Sequence, residues 1–426
     1  MNIDTKSVHA GWQPEDADPR QIPIYQNTTW YFDSNEHMAR LFDLEEAGYF
    51  YTRLANPTND AVAERITALE DGVAGVLTSS GQSASFFSIF NICQAGDHLL
   101  TSSALYGGTY NLFAVTLPKM GIEVDFVDPD APLDELKKAV TPRTKCVFAE
   151  TLSNPSLNVL DIEKFATLAH DAGVPLIVDN TFPTPVNCRP FEWGADISIH
   201  STTKYLDGHG TVVGGAIVDS GNFDWQAHAQ SFPGLTQADD SYHGVVYAER
   251  FGKGAYITKI VAQLMRDLGS IPSPHNSFLL GVNIESLPLR MAKHIANAQR
   301  IAEWLDAHPA VSIVRYPGLT GDPYHHLAQK YFDKAGGCGV IAFDLKGTRQ
   351  QASAFLDALE VISIATHVAD ARSCVLHPAS STHRQLSDEQ LASAKVTPTL
   401  VRLSVGIEDA DDLLADLDQA LAKALA

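Results

Sequence analysis

The stretch GVAGVLTSSGQSASFFSIFNICQAGDHLLTSS, residues 72–103, decides the fold. GVAGVLTSS reads as a buried strand, SASFFSIFNICQA as a helix and DHLLTSS as a second strand. Short apolar runs separated by amphipathic segments of about a dozen residues predict parallel strands covered by helices on both faces. The alternation is entered through a helix, AVAERITALED, and continues with the helix GGTYNLFAVTLPKMG and the strand IEVDFVD. DELKKAV, TKCVFAET, IEKFATLAHDAG, PLIVDN, ADISIHS and GGAIVDS extend it. Seven strands between residues 73 and 220 predict one large α/β domain.

On either side the texture changes. The first sixty residues are irregular, rich in Pro, Asn and aromatic residues. Residues 221–288 read as helices and loops. Beyond SPHNSFLLG come a helix (HIANAQRIAEWLDAH), strands (SIVRYP, GVIAFDL), a helix (QQASAFLDAL), strands (ISIATHV, LVRLSVGIED) and the closing helix ADDLLADLDQALAKALA. The chain thus divides into an arm, 1–60, an α/β domain, 61–288, and a smaller α+β domain, 289–426. No internal repeat is visible.

With 426 residues, 45% of them hydrophobic, the chain has enough apolar mass for more than one core. A net charge of −21 argues against nucleic acid or an anionic membrane as partner. Neither a signal peptide in MNIDTKSVHAGWQPEDADPR nor an apolar run of the ~18 residues that cross a bilayer is expected. Five widely spaced cysteines without a C-x-x-C read as reduced thiols and a cytoplasmic location. Sixteen histidines show no H-E-x-x-H pattern, and no metal is expected; His325 and His326 read as surface residues.

In an open α/β sheet ligands sit beyond the carboxyl ends of the strands, so the residues there carry the functional argument. After the first strand, SSGQSAS (79–85) places Gly81 and Gln82 at a helix N-terminus, which suits a phosphate or serves as an ordinary Ser cap. After the second, ALYGGTY puts Tyr106 before two glycines, where it stacks on a flat ring or packs in the core. ETLSNPS holds Asn154 at a turn before proline. Asp179 ends the apolar strand PLIV, a costly place for an acid without a partner; a helix cap or a metal ligand are its plainer readings. After the sixth strand come Ser201, Thr202, Thr203 and Lys204, in SIHSTTKYLDGHG. No acid lies within two places of Lys204, unlike a solvated surface lysine. Hydroxyls, a helix N-terminus, a tyrosine, an acid and an amine together describe a pocket for a phosphorylated aromatic aldehyde, pyridoxal 5′-phosphate. The lysine joins the aldehyde and needs a neutral amine, which burial promotes. The aspartate keeps the pyridine nitrogen protonated so that the ring takes up electron density.

These motifs, with IVDNTF, LYGGTY, SIHSTTKYLDGHGTVVGG and VRLSVGIEDADDL, resemble the Cys/Met-metabolism family of PLP-dependent enzymes over nearly the whole chain. The resemblance implies the PLP-dependent transferase fold type I: a large domain with a mostly parallel seven-stranded sheet and a smaller C-terminal α+β domain. It implies that Lys204 anchors the cofactor and Asp179 pairs with its nitrogen. Gly81, Gln82, Ser201 and Thr203 would bind the phosphate, Tyr106 would cover the ring, and Asn154 would touch its hydroxyl side. YTRLANPTND implies that Tyr51 and Arg53 reach the phosphate in a neighbouring subunit, which makes the unit a homo-oligomer, typically a tetramer. Arg402 in VRLSVG corresponds to the arginine that clamps a substrate α-carboxylate, and Ser363 to a residue whose backbone meets it.

Within the family, the long segment 221–288 and ISIATHVADARSCVLHPASSTH resemble the O-acetylhomoserine sulfhydrylases. Gly108 stands where methionine γ-lyases often carry cysteine, and Ala369 stands where the sulfhydrylase pattern has glycine. The expected reaction joins O-acetyl-L-homoserine and sulfide, or a thiol, to give homocysteine and acetate. A γ-lyase and a cystathionine γ-synthase share its first half. GHGTVVGG offers only a weak nicotinamide-dinucleotide signal, since it opens no evident helix and lacks the distal acid. A non-catalytic binding protein would leave Lys204 and Asp179 without purpose.

Overall fold

A computed structural model describes residues 1–381, 384 and 397–425. Thr382 and His383, the end of ISIATHVADARSCVLHPASSTH, and Ala426 lie outside these residues. All seven strands of the large sheet form where the alternation places them: β1 (Ala74–Thr78), β2 (His98–Ser102), β3 (Glu123–Val127), β4 (Thr144–Glu150), β5 (Leu176–Asp179), β6 (Ile197–His200) and β7 (Gly215–Asp219). Their spatial order is β1-β7-β6-β5-β4-β2-β3. Neighbours from β6 to β3 are parallel, and β7 alone runs antiparallel to both of its neighbours. The chain turns straight back from β6 into β7, so residues 201–214 sit at the carboxyl edge of the sheet.

The strands β2, β6 and β7 are buried along their whole length, which explains their continuous rather than alternating apolar character. The helix Pro57–Glu70 packs on β1 and β7, and Gly81–Phe90 on β6, β7 and β1. Leu69 and Phe87 anchor these contacts at 0% and 2% exposure, each such side chain contributing about 1.5–3 kcal/mol.

A second, five-stranded sheet has the order β10-β11-β12-β9-β8, built from β8 (Val311–Arg315), β9 (Val340–Leu345), β10 (Ser363–Ile364), β11 (Cys374–Leu376) and β12 (Leu400–Ser404). Helices Arg349–Asp357 and Ala410–Leu425 pack on each other beside it. Two points differ from the sequence reading. ISIATHV forms only a two-residue strand, and the short β11 was not foreseen. The helix expected from His294 starts at Leu287, with Pro288 in its first turn, where the missing N–H is no loss. Its Leu287, Met291 and Ile295 belong to the large core, while Ile301 and Leu305 belong to the smaller one. One helix therefore ties the two sheets together. Among the described residues no helix is long and apolar enough to cross a membrane.

Candidate active site

Two turns that are far apart in sequence meet at the carboxyl edge. Gly81 opens its helix directly against Ser201: a Cβ on Gly81 would come within 2.6 Å of the Ser201 Cβ. Ser80 caps this helix, its hydroxyl accepting from Ser83 N at 3.1 Å. The Gly81 and Gln82 N–H groups have no partner among the described residues. They leave a positive helix end open beside the Ser201 hydroxyl, a setting that attracts an anion. Thr203 is less free: its hydroxyl donates to Gly214 O at 3.2 Å and accepts from Gly214 N at 3.1 Å.

Lys204 follows on the same turn. Its amine has no hydrogen-bond or ion-pair partner among the described residues. Burial, helped by the positive charge of Arg402, holds it below the ordinary lysine range. Asp179 ends β5 with one carboxylate oxygen accepting from the Thr181 N–H and hydroxyl. Opposite it in register stands Glu150, the last residue of β4, 7% exposed. Burial raises both carboxyls, and the Asp179 charge pushes Glu150 well above the usual range. As a facing pair they bind a proton more readily than two isolated acids.

Glu150 also positions the next group. Its Oε1 accepts from the Tyr106 backbone N–H at 2.5 Å, fixing the turn from which the half-exposed Tyr106 side chain projects. Gln82 reaches the same turn, its amide donating to Thr109 Oγ1 at 3.3 Å. From the second sheet, Arg402 on β12 crosses to Asn154, donating to its Oδ1 at 3.3 Å. Arg402 also donates to the carbonyls of Thr366 (3.3 Å) and His367 (3.4 Å). Its Nε is buried and without a partner, an N–H that calls for an anion.

The remaining candidates stand apart. Ser363 is exposed on β10, its N–H donating to Ser373 O at 3.2 Å; Thr366 and His367, not Ser363, touch Arg402. Tyr51 and Arg53 lie together on the arm, the guanidinium 5.2 Å from the ring centroid, with no hydrogen bond or ion pair to Lys204 among the described residues.

Three groups escaped the sequence reading. Glu150 carries the same signal that marked Asp179, an acid ending an apolar strand. Beneath the site lies a second unread cluster. Glu70 Oε1 accepts from Ser198 Oγ (2.7 Å) and Asn180 Nδ2 (3.1 Å) and lies 2.5 Å from His200 Nε2, Glu70 and His200 both being fully buried. The electrostatic effect of His200 on Asp179 favours the ionised aspartate, against the larger opposing effect of burial. The third is His367, inside ISIATHV, where nothing in the strand reading marks it out. Among the described residues no group of three or more His, Cys, Asp and Glu side chains could hold a metal.

An unpartnered amine, an open helix N-terminus, a buried carboxylate and an arginine N–H without an acceptor fit a phosphorylated aldehyde and an amino-acid carboxylate. The comparisons agree with that donor set. The chain is 45% identical to the O-acetyl-L-homoserine sulfhydrylase of Leptospira meyeri, over 98% of this chain and 96% of that one. It is 46% identical to the homocysteine synthase of Schizosaccharomyces pombe, over 99% and 98%. Among solved structures it superposes with a TM-score of 0.95 on a Campylobacter jejuni protein described as an O-acetylhomoserine (thiol)-lyase, at 37% identity over 99% of this chain and 100% of that one. That protein carries a pyridoxyl-lysine monophosphate at its position 205. The model of the Cys/Met-metabolism PLP-dependent enzymes matches residues 4–422, and with the site above it makes this chain a member of that family.

Proposed function

We propose that the protein catalyses γ-replacement, converting O-acetyl-L-homoserine and sulfide to L-homocysteine and acetate. The observation that carries this reading is the pairing of Lys204, an unpartnered amine of lowered proton affinity, with Arg402, whose Nε lacks an acceptor. The relatives named above support the choice of substrate.

Bound in this site, pyridoxal phosphate serves as the electron sink for a carbanion at the substrate Cα. The chain's own residues do the rest. The Gly81 and Gln82 N–H groups and the Ser201 hydroxyl hold the phosphate, joined by Thr203 once its hydroxyl leaves Gly214. Asp179, its carboxylate oriented by the hydrogen bonds from Thr181, would face the pyridine nitrogen. Tyr106 covers the ring and stands where the γ-substituent departs, and Asn154 meets the ring hydroxyl. Arg402 grips the α-carboxylate, with the Ser363 backbone as a further contact, and so orients the Cα–H bond. Lys204 would move protons at Cα and Cβ, and burial with the Arg402 charge lowers its proton affinity from the ordinary lysine value, which favours the base form.

The arm, residues 1–60, extends to a neighbouring subunit, where Tyr51 and Arg53 reach that subunit's phosphate. Residues 61–288 and 289–426 form the two domains, and the assembly is a tetramer of site-sharing dimers in the cytoplasm. To test the reading, O-acetyl-L-homoserine is added with and without sulfide, and products are assayed. Homocysteine formed only with sulfide, and lost in Lys204→Ala, supports it; oxo acid and ammonia as the main products would make the enzyme a lyase.

A further inference from the structure

His367 lies between β10 and β11, and no step above uses it. Its Nε2 is shut off from solvent and has no hydrogen-bond partner among the described residues. The ring packs over the turn that follows Lys204, since a Cβ on Gly210 would meet this nitrogen at 3.7 Å. The backbone beneath it is pinned from two strands: its carbonyl accepts from Arg402 Nη2 at 3.4 Å and from Cys374 Sγ at 3.1 Å. An imidazole is thus held between the anchoring lysine and the carboxylate-binding arginine, with one nitrogen uncommitted.

We propose that His367 is a base for the second half of the reaction, accepting a proton from the sulfur nucleophile. The inference rests on the γ-replacement reading. Lys204 already serves Cα and Cβ, and acetate leaves as an anion. The incoming hydrogen sulfide or thiol is the one reactant that must shed a proton, because the anion is the effective nucleophile. Over the whole reaction the Cγ–O bond breaks with its electron pair leaving on acetate. The C–S bond forms from a sulfur lone pair, and one S–H proton passes to the His367 imidazole, a half-buried side chain, and then to solvent. The groups facing His367 suit a neutral imidazole. Burial lowers its proton affinity most, Lys204 and Arg402 lower it further, and Asp370 and Asp207 oppose them. Cys374, pushed up to about 11 by burial, stays protonated and adds no charge.

The test uses holoenzyme carrying His367→Gln or His367→Asn. Three quantities are read: kcat/KM for sulfide against pH, the sulfide-independent breakdown of O-acetyl-L-homoserine, and the visible band of the bound cofactor against pH. The proposal expects kcat/KM for sulfide to fall about 10²-fold, to lose its acidic limb and to recover as pH rises. Breakdown without sulfide and the cofactor band stay as in the parent, which also shows that the variant folds. An unchanged sulfide kcat/KM overturns the proposal. So does an equal loss of both activities or a shifted cofactor band, either of which places His367 on Lys204 instead. A parent enzyme that yields only oxo acid and ammonia removes the γ-replacement reading itself, and this inference with it.

Discussion

Arg402 acts on its surroundings twice. It offers an N–H to an anion, and its charge helps hold the Lys204 amine below its ordinary value. The two effects separate in Arg402→Ala. Losing a charged clamp should cost about 10–100-fold in kcat/KM for the amino-acid substrate. Without the neighbouring positive charge Lys204 holds its proton more tightly. The rate at which apoprotein takes up pyridoxal phosphate should then lose its acidic side at a higher pH than in the parent; an unshifted profile would show that burial alone sets the amine. Glu150 makes a second prediction. Glu150→Ala strips the Tyr106 N–H of its acceptor and should lower kcat about tenfold, the kinetic equivalent of one lost hydrogen bond, while Glu150→Gln keeps an accepting oxygen and most of the rate. Asp179 was legible in sequence because an acid ending an apolar strand conflicts with its surroundings, and Lys204 because no acid stands near it in a run of small and polar residues. His367 carries no such conflict until the fold closes a turn over it.

At the scale of elements, the Lys204 turn is held by the long helix Leu287–Ala307. Its buried Arg290 donates to Tyr205 O at 2.7 Å, with a longer 3.4 Å contact to Leu206 O, and to Asn283 O at 2.8 Å. Gly208, at φ +70°, leaves the room: a Cβ there would come within 2.0 Å of Arg290 Nη1. Gly208→Ala combines a left-handed backbone cost of about 1–2 kcal/mol with that clash. It should lower the thermal midpoint and weaken cofactor retention, as read by dialysis and visible absorbance; retention equal to the parent's would show that the turn is held elsewhere. The strands of the large sheet were legible because each is a short apolar run fenced by polar turns. β11 has three residues, too few for a period, and the helix from Leu287 hid its start because its first residues belong to another core.

The whole molecule carries a net charge of −21, yet its site gathers Lys204 and Arg402 about an open helix end, a local positive field for an anionic cofactor and substrate. If Tyr51 and Arg53 complete a neighbour's site, two dead variants should rescue each other. Mixing Lys204→Ala with Arg53→Ala and allowing subunits to exchange should restore about a quarter of parental activity, since half the dimers are mixed and each mixed dimer has one intact site. No recovery, despite exchange shown by native mass spectrometry, would confine each site to one chain. The central claim is that Lys204 is the covalent anchor of the cofactor. Borohydride reduction of the holoenzyme followed by peptide mass mapping tests it directly. The account predicts a phosphopyridoxyl group on the peptide carrying Lys204 and on no other; the label on a different lysine, or no label at all, would contradict it.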